Sequence, residues 1–236
     1  MKKFLAILGV MLMLTTTTNA KSIRTPEGNM PRVQWAVVES TEGTMPQIID
    51  MGAKILAPTT AKEKGTYALY GVIEKNNPNL MRLLEIYESD EAYRIHSTSE
   101  AFQQYRAQRL PFLAGLKILP VNGIVLEQKN SGVGKSVRTN RFEIAPENLA
   151  MFQEIISAEA VRAVREDSGV MVAFVTAEQP RPNFLHTMLI FSDTAAQQKY
   201  FSSNAYRDYR QQVESLIKEE SAIDYQPTKI ILSEKF

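Results

Sequence analysis

Residues 65–106 read GTYALYGVIEKNNPNLMRLLEIYESDEAYRIHSTSEAFQQYR, and residues 169–210 read GVMVAFVTAEQPRPNFLHTMLIFSDTAAQQKYFSSNAYRDYR. At a constant offset of 104 they share Gly65/Gly169, Glu74/Glu178, Pro78-Asn79/Pro182-Asn183, Ile86/Ile190 and Ala92/Ala196. The same register continues through Ser99/Ser203, Ala101/Ala205 and Tyr105-Arg106/Tyr209-Arg210 without a gap. Tyr70/Phe174, Tyr87/Phe191 and Phe102/Tyr206 exchange one aromatic ring for another. Matches of this number and character in one register mark two diverged copies of a single unit.

Each copy carries the same order of elements. In the first, residues 33–39 (VQWAVVE) are β-branched and apolar, a strand pattern. Thr44 is placed to cap a helix opening at Met45-Pro46, where proline is tolerated in the first turn. Ile48, Ile49, Gly52, Ile55 and Leu56 fall on one helical face, and Pro58 is expected to interrupt or end that helix. Residues 66–74 and 80–88 read as strands joined by hairpin residues 75–79 (KNNPN). Asp90 and Glu91 open a second helical region with Ala92, Ile95 and His96 on one side. Ser99 is placed as a fresh N-cap, before Phe102 and Tyr105. Residues 116–126 return as the last strand.

The second copy repeats this plan. Its strands are expected at 139–144, 170–178, 184–191 and 229–232. Leu149, Phe152, Ile155, Ile156, Ala163 and Val164 stripe its first helix, and its second helical region runs over 194–217. The order β-α-β-β-α-β is the ferredoxin-like split-βαβ plan, an α+β fold with helices on one face of an antiparallel sheet. The bare faces of two such sheets must be buried. The expected architecture is therefore two tandem units packed sheet to sheet within one chain. Repeat one spans 31–127 and repeat two 137–236. Residues 128–136 (QKNSGVGKS) have linker composition, and residues 21–30 form a loose lead-in.

Residues 1–20 read as a secretory signal peptide. Lys2 and Lys3 precede an uncharged apolar run at 4–14, and a Thr-rich stretch ends at Ala20. That run is too short for the roughly 20 residues of a spanning helix. The expected location is periplasmic or secreted, with no membrane anchor after cleavage. With no cysteine, the chain has no disulfide, thiolate ligand or thiol nucleophile. Its 27 basic and 26 acidic residues give a net charge of +1, which offers no global field for nucleic acid. Two histidines, His96 and His186, argue against a multi-histidine metal site. No P-loop or dinucleotide fingerprint is present.

Glu63-Lys64-Gly65, Tyr70, Asn77-Pro78-Asn79, Glu85-Ile86-Tyr87, Ser89, Ala92, His96, Ser99 and Phe102 together resemble the antibiotic biosynthesis monooxygenase (ABM) family. In the second copy the resemblance persists in Gly169, Phe174, Pro182-Asn183, Ala196, Ser203 and Tyr206. It implies a dimeric α+β barrel made here by repeat one and repeat two of one chain, with a further homo-oligomer left open. It also implies a small-molecule pocket between the sheet and the second helical region. Well-studied relatives oxidise polyaromatic phenols to quinones with dioxygen and no metal or flavin, so no cofactor is expected. Haem degradation fits poorly, because the family's haem-binding histidine belongs near Tyr105-Arg106, where none stands.

His96 is the candidate catalytic residue, since imidazole titrates near neutrality and can act as a general base. Tyr87, Tyr93, Tyr67 and Trp35 are candidate substrate-binding residues; for Tyr67 and Trp35 a core position is the competing reading. Glu85 could pair with a cation across the sheet or hold His96. Arg106 and Arg210, repeated beside tyrosines, suggest an ion pair between units. Repeat two replaces His96 by Tyr200, Glu85 by Leu189 and Glu63 by Asp167, and His186 does not replace His96. Two functional readings follow: a cofactor-independent monooxygenase of a phenolic molecule, or a binding module that keeps the fold without the chemistry.

Overall fold

The computed structural model describes residues 20–129 and 134–225. The expected signal peptide, apart from Ala20, and the strand expected at 229–232 lie outside them. After the short strand β1 (Ala20–Ser22), the first unit runs β2 (Arg32–Ser40), α1 (Met45–Met51), α2 (Ala57–Thr60), β3 (Thr66–Glu74), β4 (Asn77–Tyr87), α3 (Asp90–Thr98), α4 (Glu100–Arg109) and β5 (Leu113–Lys129). The second runs β6 (Ser136–Ile144), α5 (Leu149–Glu166), β7 (Val170–Glu178), β8 (Phe184–Phe191), α6 (Thr194–Ser202), α7 (Asn204–Val213) and β9 (Ile217–Asp224). Among the described residues no helix is long and apolar enough to cross a membrane.

All pairings between neighbouring strands are antiparallel, in the order β3-β4-β2-β5-β7-β8-β6-β9. The two units have the same internal order, and β5 and β7 join them. Strand β5 pairs with β2 up to Val121 and with β7 from Val121 to Gln128. At the other end Tyr225 bridges Glu74, and the Lys75 amide donates to the Asp224 carbonyl at 3.1 Å. The sheet curls until its first and last strands meet. Its inner face is one apolar core drawn from both units, including Val33, Trp35, Tyr70, Leu84 and Ile86 with Val172, Phe174, Met188 and Ile190. Two ferredoxin-like units thus pack sheet to sheet in a single chain.

Four local expectations are corrected or narrowed. Pro58 does not stop the first helix. A π-helical stretch, Gly52–Leu56, widens it just before the proline, and α2 then carries Pro58 in its first turn. Proline has no N–H to donate, and a helix with shifted hydrogen bonding loses less there. Thr44 makes no side-chain cap; its hydroxyl bonds to Thr41 and to the Phe112 carbonyl instead. The second unit's helical region ends at Leu216, and β9 begins at Ile217. Gln128 and Lys129 belong to β5 and Ser136 to β6, so strand pairing claims both ends of the expected linker.

Serine caps act as expected. Ser99 Oγ accepts from the Phe102 amide at 3.2 Å and Ser203 Oγ from Tyr206 at 3.1 Å, breaking each second helical region at the same point. A glycine before each β-hairpin lets that region lie close to the sheet. A Cβ at Gly65 would fall 2.5 Å from the Ala92 Cβ, and one at Gly169 2.5 Å from the Ala196 Cβ. Gly65→Ala and Gly169→Ala are each expected to cost about 1–3 kcal/mol, as overpacking does, measured by urea unfolding. Losses below about 0.5 kcal/mol at both sites, the range of neutral surface changes, would show that the helices are free to move away.

Candidate functional site

The site lies on the outer face of the first unit's sheet. Side chains alternate along a strand, so Gln34, Ala36 and Val38 of β2 and Leu83, Glu85 and Tyr87 of β4 turn towards the helices. Helix α3 contributes Tyr93 and His96, and α4 contributes Phe102, Tyr105, Arg106 and Arg109. Leu56 and Leu69, with Leu116 and Ile118 of β5, complete an open cavity of about 200 Å³. An apolar cavity of about 150 Å³ holds benzene, so this one suits a molecule with a single ring.

His96 is only 3% exposed. Its Nδ1 lies 2.8 Å from Glu63 Oε2, and that oxygen also accepts from the Thr66 hydroxyl at 2.7 Å. Of the two neutral tautomers, a carboxylate beside Nδ1 favours the one that carries its proton there and leaves Nε2 as the free nitrogen. The ring is clasped between Phe102 and Tyr87, with centroids at 5.1 and 5.5 Å. A base with a fixed tautomer and a fixed ring plane can take a proton from a bound hydroxyl. Among the described residues no cluster of three or more histidine, aspartate or glutamate side chains is placed to hold a metal ion.

Glu85 belongs to a different network. Its Oε2 accepts from Gln34 Nε2 at 2.6 Å and from the Tyr87 hydroxyl at 3.0 Å. Burial nevertheless pushes the Glu85 carboxyl above the usual carboxylate range, outweighing these donors and the nearby His96 and Arg109 charges. Burial and Glu85 together hold the Tyr87 phenol well above its ordinary value, so it stays a neutral donor. The folded state keeps the Glu85 proton to higher pH than the unfolded chain does. Stability contributed there is therefore complete below the ordinary carboxylate value, about 4.3, and is lost as pH rises through the folded value. Glu85→Gln is expected to gain in Tm relative to the parent as pH is raised from about 4 to about 7. A Tm difference that stayed flat or shrank over that range would refute the assignment.

The structure brings His96, Tyr87 and Tyr93 together and separates Trp35 and Tyr67 from them. Tyr93 packs on Tyr87 at 5.3 Å, with the Arg32 guanidinium 4.0 Å from the centroid of its ring. Trp35 falls on the opposite face of β2, where its Nε1 donates to Thr176 Oγ1 at 3.3 Å in the second unit. It lines a separate inter-sheet cavity of about 120 Å³ with Arg82, Arg141 and His186. Tyr67 is also in the inter-sheet core, because the register of β3 shifts between Thr66 and Ala68. Glu85 does not hold His96; Glu63 does. Nor do the paired arginines bridge the units, since Arg210 pairs with Glu220 of its own unit at 2.9 Å. Gln34 and Arg109 are the site residues that sequence patterns did not single out; Glu63 belonged to the family pattern but was not placed beside His96.

The model of the antibiotic biosynthesis monooxygenase family matches residues 33–108, the span that contains His96, Glu63, Glu85 and all three tyrosines of the cavity. Residues 33–108 belong to the ABM family. A candidate monooxygenase from Lactobacillus acidophilus NCFM superposes with a TM-score of 0.78 at 13% identity, covering 87% of this chain and 100% of its own. A candidate monooxygenase from Fusobacterium nucleatum gives 0.78 at 16% identity, covering 88% of this chain and 99% of its own. An anthrone oxidase-like protein gives 0.59 at 10% identity, covering 89% and 95%. At these identities the likeness is one of fold, and in all three it extends over both units. No curated protein matches the chain.

The second unit shows what the ABM domain would be without its cavity. At the offset of 104, Phe142 stands for Val38, Ile156 for Gly52, Leu189 for Glu85 and Tyr200 for His96. The equivalent space shrinks to about 30 Å³. Tyr200 is 2% exposed, and its hydroxyl donates to Glu159 Oε1 at 2.8 Å, a carboxylate itself paired with Arg162. An unbroken α5 lays Phe152, Ile156, Ala160, Ala163 and Val164 over this face. Larger side chains at the positions of Val38 and Gly52, with Leu189 in place of Glu85, fill the space that the first unit leaves open.

Proposed function

We propose that the first unit is a cofactor-independent monooxygenase of the ABM type, acting in the cell envelope on a small phenolic molecule. The observation that carries this reading is the open cavity beside the Glu63–His96 pair, set against the filled space beside Tyr200. His96 Nε2 takes the phenolic proton, and the electron-rich ring carbon of the resulting anion bonds to dioxygen. The hydroperoxide so formed loses water and leaves a quinone. One oxygen atom stays in the product and the other departs as water, with all four electrons supplied by the substrate. Tyr87 and Tyr93 orient the ring, and the apolar walls shield the anion from water. The secretory leader read at residues 1–20 supports the envelope location.

The test is oxygen consumption with a panel of hydroquinones and anthrones. One dioxygen consumed per substrate, with one labelled oxygen atom in the product, is expected, and the cavity's size favours single-ring substrates. No uptake across the panel would sink the catalytic reading. A thermal shift on ligand addition without turnover would favour the binding module instead.

A further inference from the structure

Arg109 is the last residue of α4, a cavity-lining cation only 8% exposed. Its Nε has no hydrogen-bond partner, its guanidinium bonds to the Tyr105 hydroxyl and lies within reach of the Glu85 charge, and among the described residues it makes no salt bridge. Its guanidinium carbon lies 4.8 Å from the centroid of the Tyr105 ring. The C-terminal end of a helix offsets part of a positive charge. It does not replace the two-pronged acceptor that a guanidinium matches. A buried charge without that partner is costly. The Glu85 charge is close enough to act on Arg109 but forms no salt bridge with it, since its donors are Gln34 and Tyr87.

The second unit makes the exception clear. At the offset of 104, Val213 stands for Arg109 and is fully buried in apolar surroundings. The guanidinium is therefore not required to close this corner of the fold. Arg106 tells the same story from the mouth of the cavity. Its counterpart Arg210 pairs with Glu220, but the position equivalent to Glu220 is Leu116, and Arg106 makes no ion pair among the described residues. Where the space is filled the cations are absent or neutralised; where it is open, two remain that form no salt bridge among the described residues.

We propose that the cavity beside His96 takes the carboxylate of a small aromatic acid, with Arg109 as its buried anchor and Arg106 at the mouth. The inference rests on the reading of this cavity as a substrate site and names the class of substrate. The ring lies against Leu69, Leu83, Leu116 and Ile118, and the fork of Arg109 grips the acid group. That leaves the phenolic oxygen to be presented to His96.

The experiment compares gentisate, a hydroquinone bearing one carboxylate, with its methyl ester by calorimetry, and reads oxygen uptake in parallel. Gentisate is expected to bind at least about 10-fold more tightly than the ester, the scale of a charge-assisted contact. Arg109→Met should remove that preference while leaving the ester's binding intact. Without ligand it should still fold, as checked by far-UV circular dichroism, because Val213 fills the equivalent position in the second unit. Arg109→Lys keeps a charge but not the fork, and should fall between. Equal binding of acid and ester, no binding of either, or a preference that survives Arg109→Met would overturn the proposal. If the methionine variant fails to fold, the acid–ester comparison on the parent decides. Arg109-dependent binding without oxygen uptake defeats the monooxygenase reading and leaves this inference standing; equally fast turnover of acid and ester does the reverse.

Discussion

His96→Ala is expected to lower oxygen uptake about 10²–10⁴-fold, the range for loss of a positioned general base. At 1.36 kcal/mol per decade this is about 3–5 kcal/mol of lost transition-state stabilisation. Glu63 and Thr66 keep each other at 2.7 Å without the imidazole, and the vacated ring volume adjoins a space that is already open. The fold should therefore survive, as checked by far-UV circular dichroism. Glu63→Gln should lie between the parent and His96→Ala, since the ring stays but the charge that fixes its tautomer is gone. Full activity in His96→Ala would remove the base from the mechanism. A loss in Glu63→Gln larger than that in His96→Ala would make Glu63 the base instead.

Phe174→Ala is expected to destabilise the whole protein by about 3–5 kcal/mol, the cost of emptying a buried aromatic site. Phe174 is 1% exposed and meets Tyr70 of the other unit edge to face at 5.4 Å. Tyr70 is held in turn by its hydroxyl, which donates to Gln128 Oε1 at 2.7 Å on the strand that joins the units. Against a total stability of about 5–15 kcal/mol, such a loss is severe. In a chain of this size it should lower Tm by about 10 °C. Urea unfolding should still show one transition, shifted to lower denaturant with an unchanged slope. A shift worth less than about 1 kcal/mol would mean that the inter-sheet core does not hold the two halves together.

Element order was legible because the repeat supplied two readings of each element, and Ser99 and Ser203 marked the same helix break twice. Local irregularities were less legible. Pro58 argued for an interruption or a stop, and the structure shows an interruption: the hydrogen-bond pattern shifts one turn earlier, which no pattern of apolar residues announces. For Trp35 and Tyr67 the sequence leaves cavity and core both open, because the strand around Trp35 is apolar on both faces. One face meets helices and the other meets the partner sheet, so alternation gives no clue to which side is which. Glu63 sits in a turn 33 residues before its histidine, a separation that local spacing cannot bridge. Arg109 belongs to no motif of the sequence. The exchange of Arg109 for Val213 and of Glu85 for Leu189 was the signal that could have found the site's polar corner.

Strand β5 pairs with the first unit along one half and the second unit along the other. A closed dimer of identical chains uses one surface twice, so any change appears at two symmetry-related places. Here the seam runs through a continuous backbone, and the effective concentration of one half for the other is set by the chain itself. Dilution does not separate the halves, and the unfolding midpoint should not depend on protein concentration. Freed from symmetry, one half could exchange a histidine, a glutamate and an arginine for packing without imposing the same loss on its neighbour. The filled half then serves as a rigid wall against which the hollow half keeps its shape.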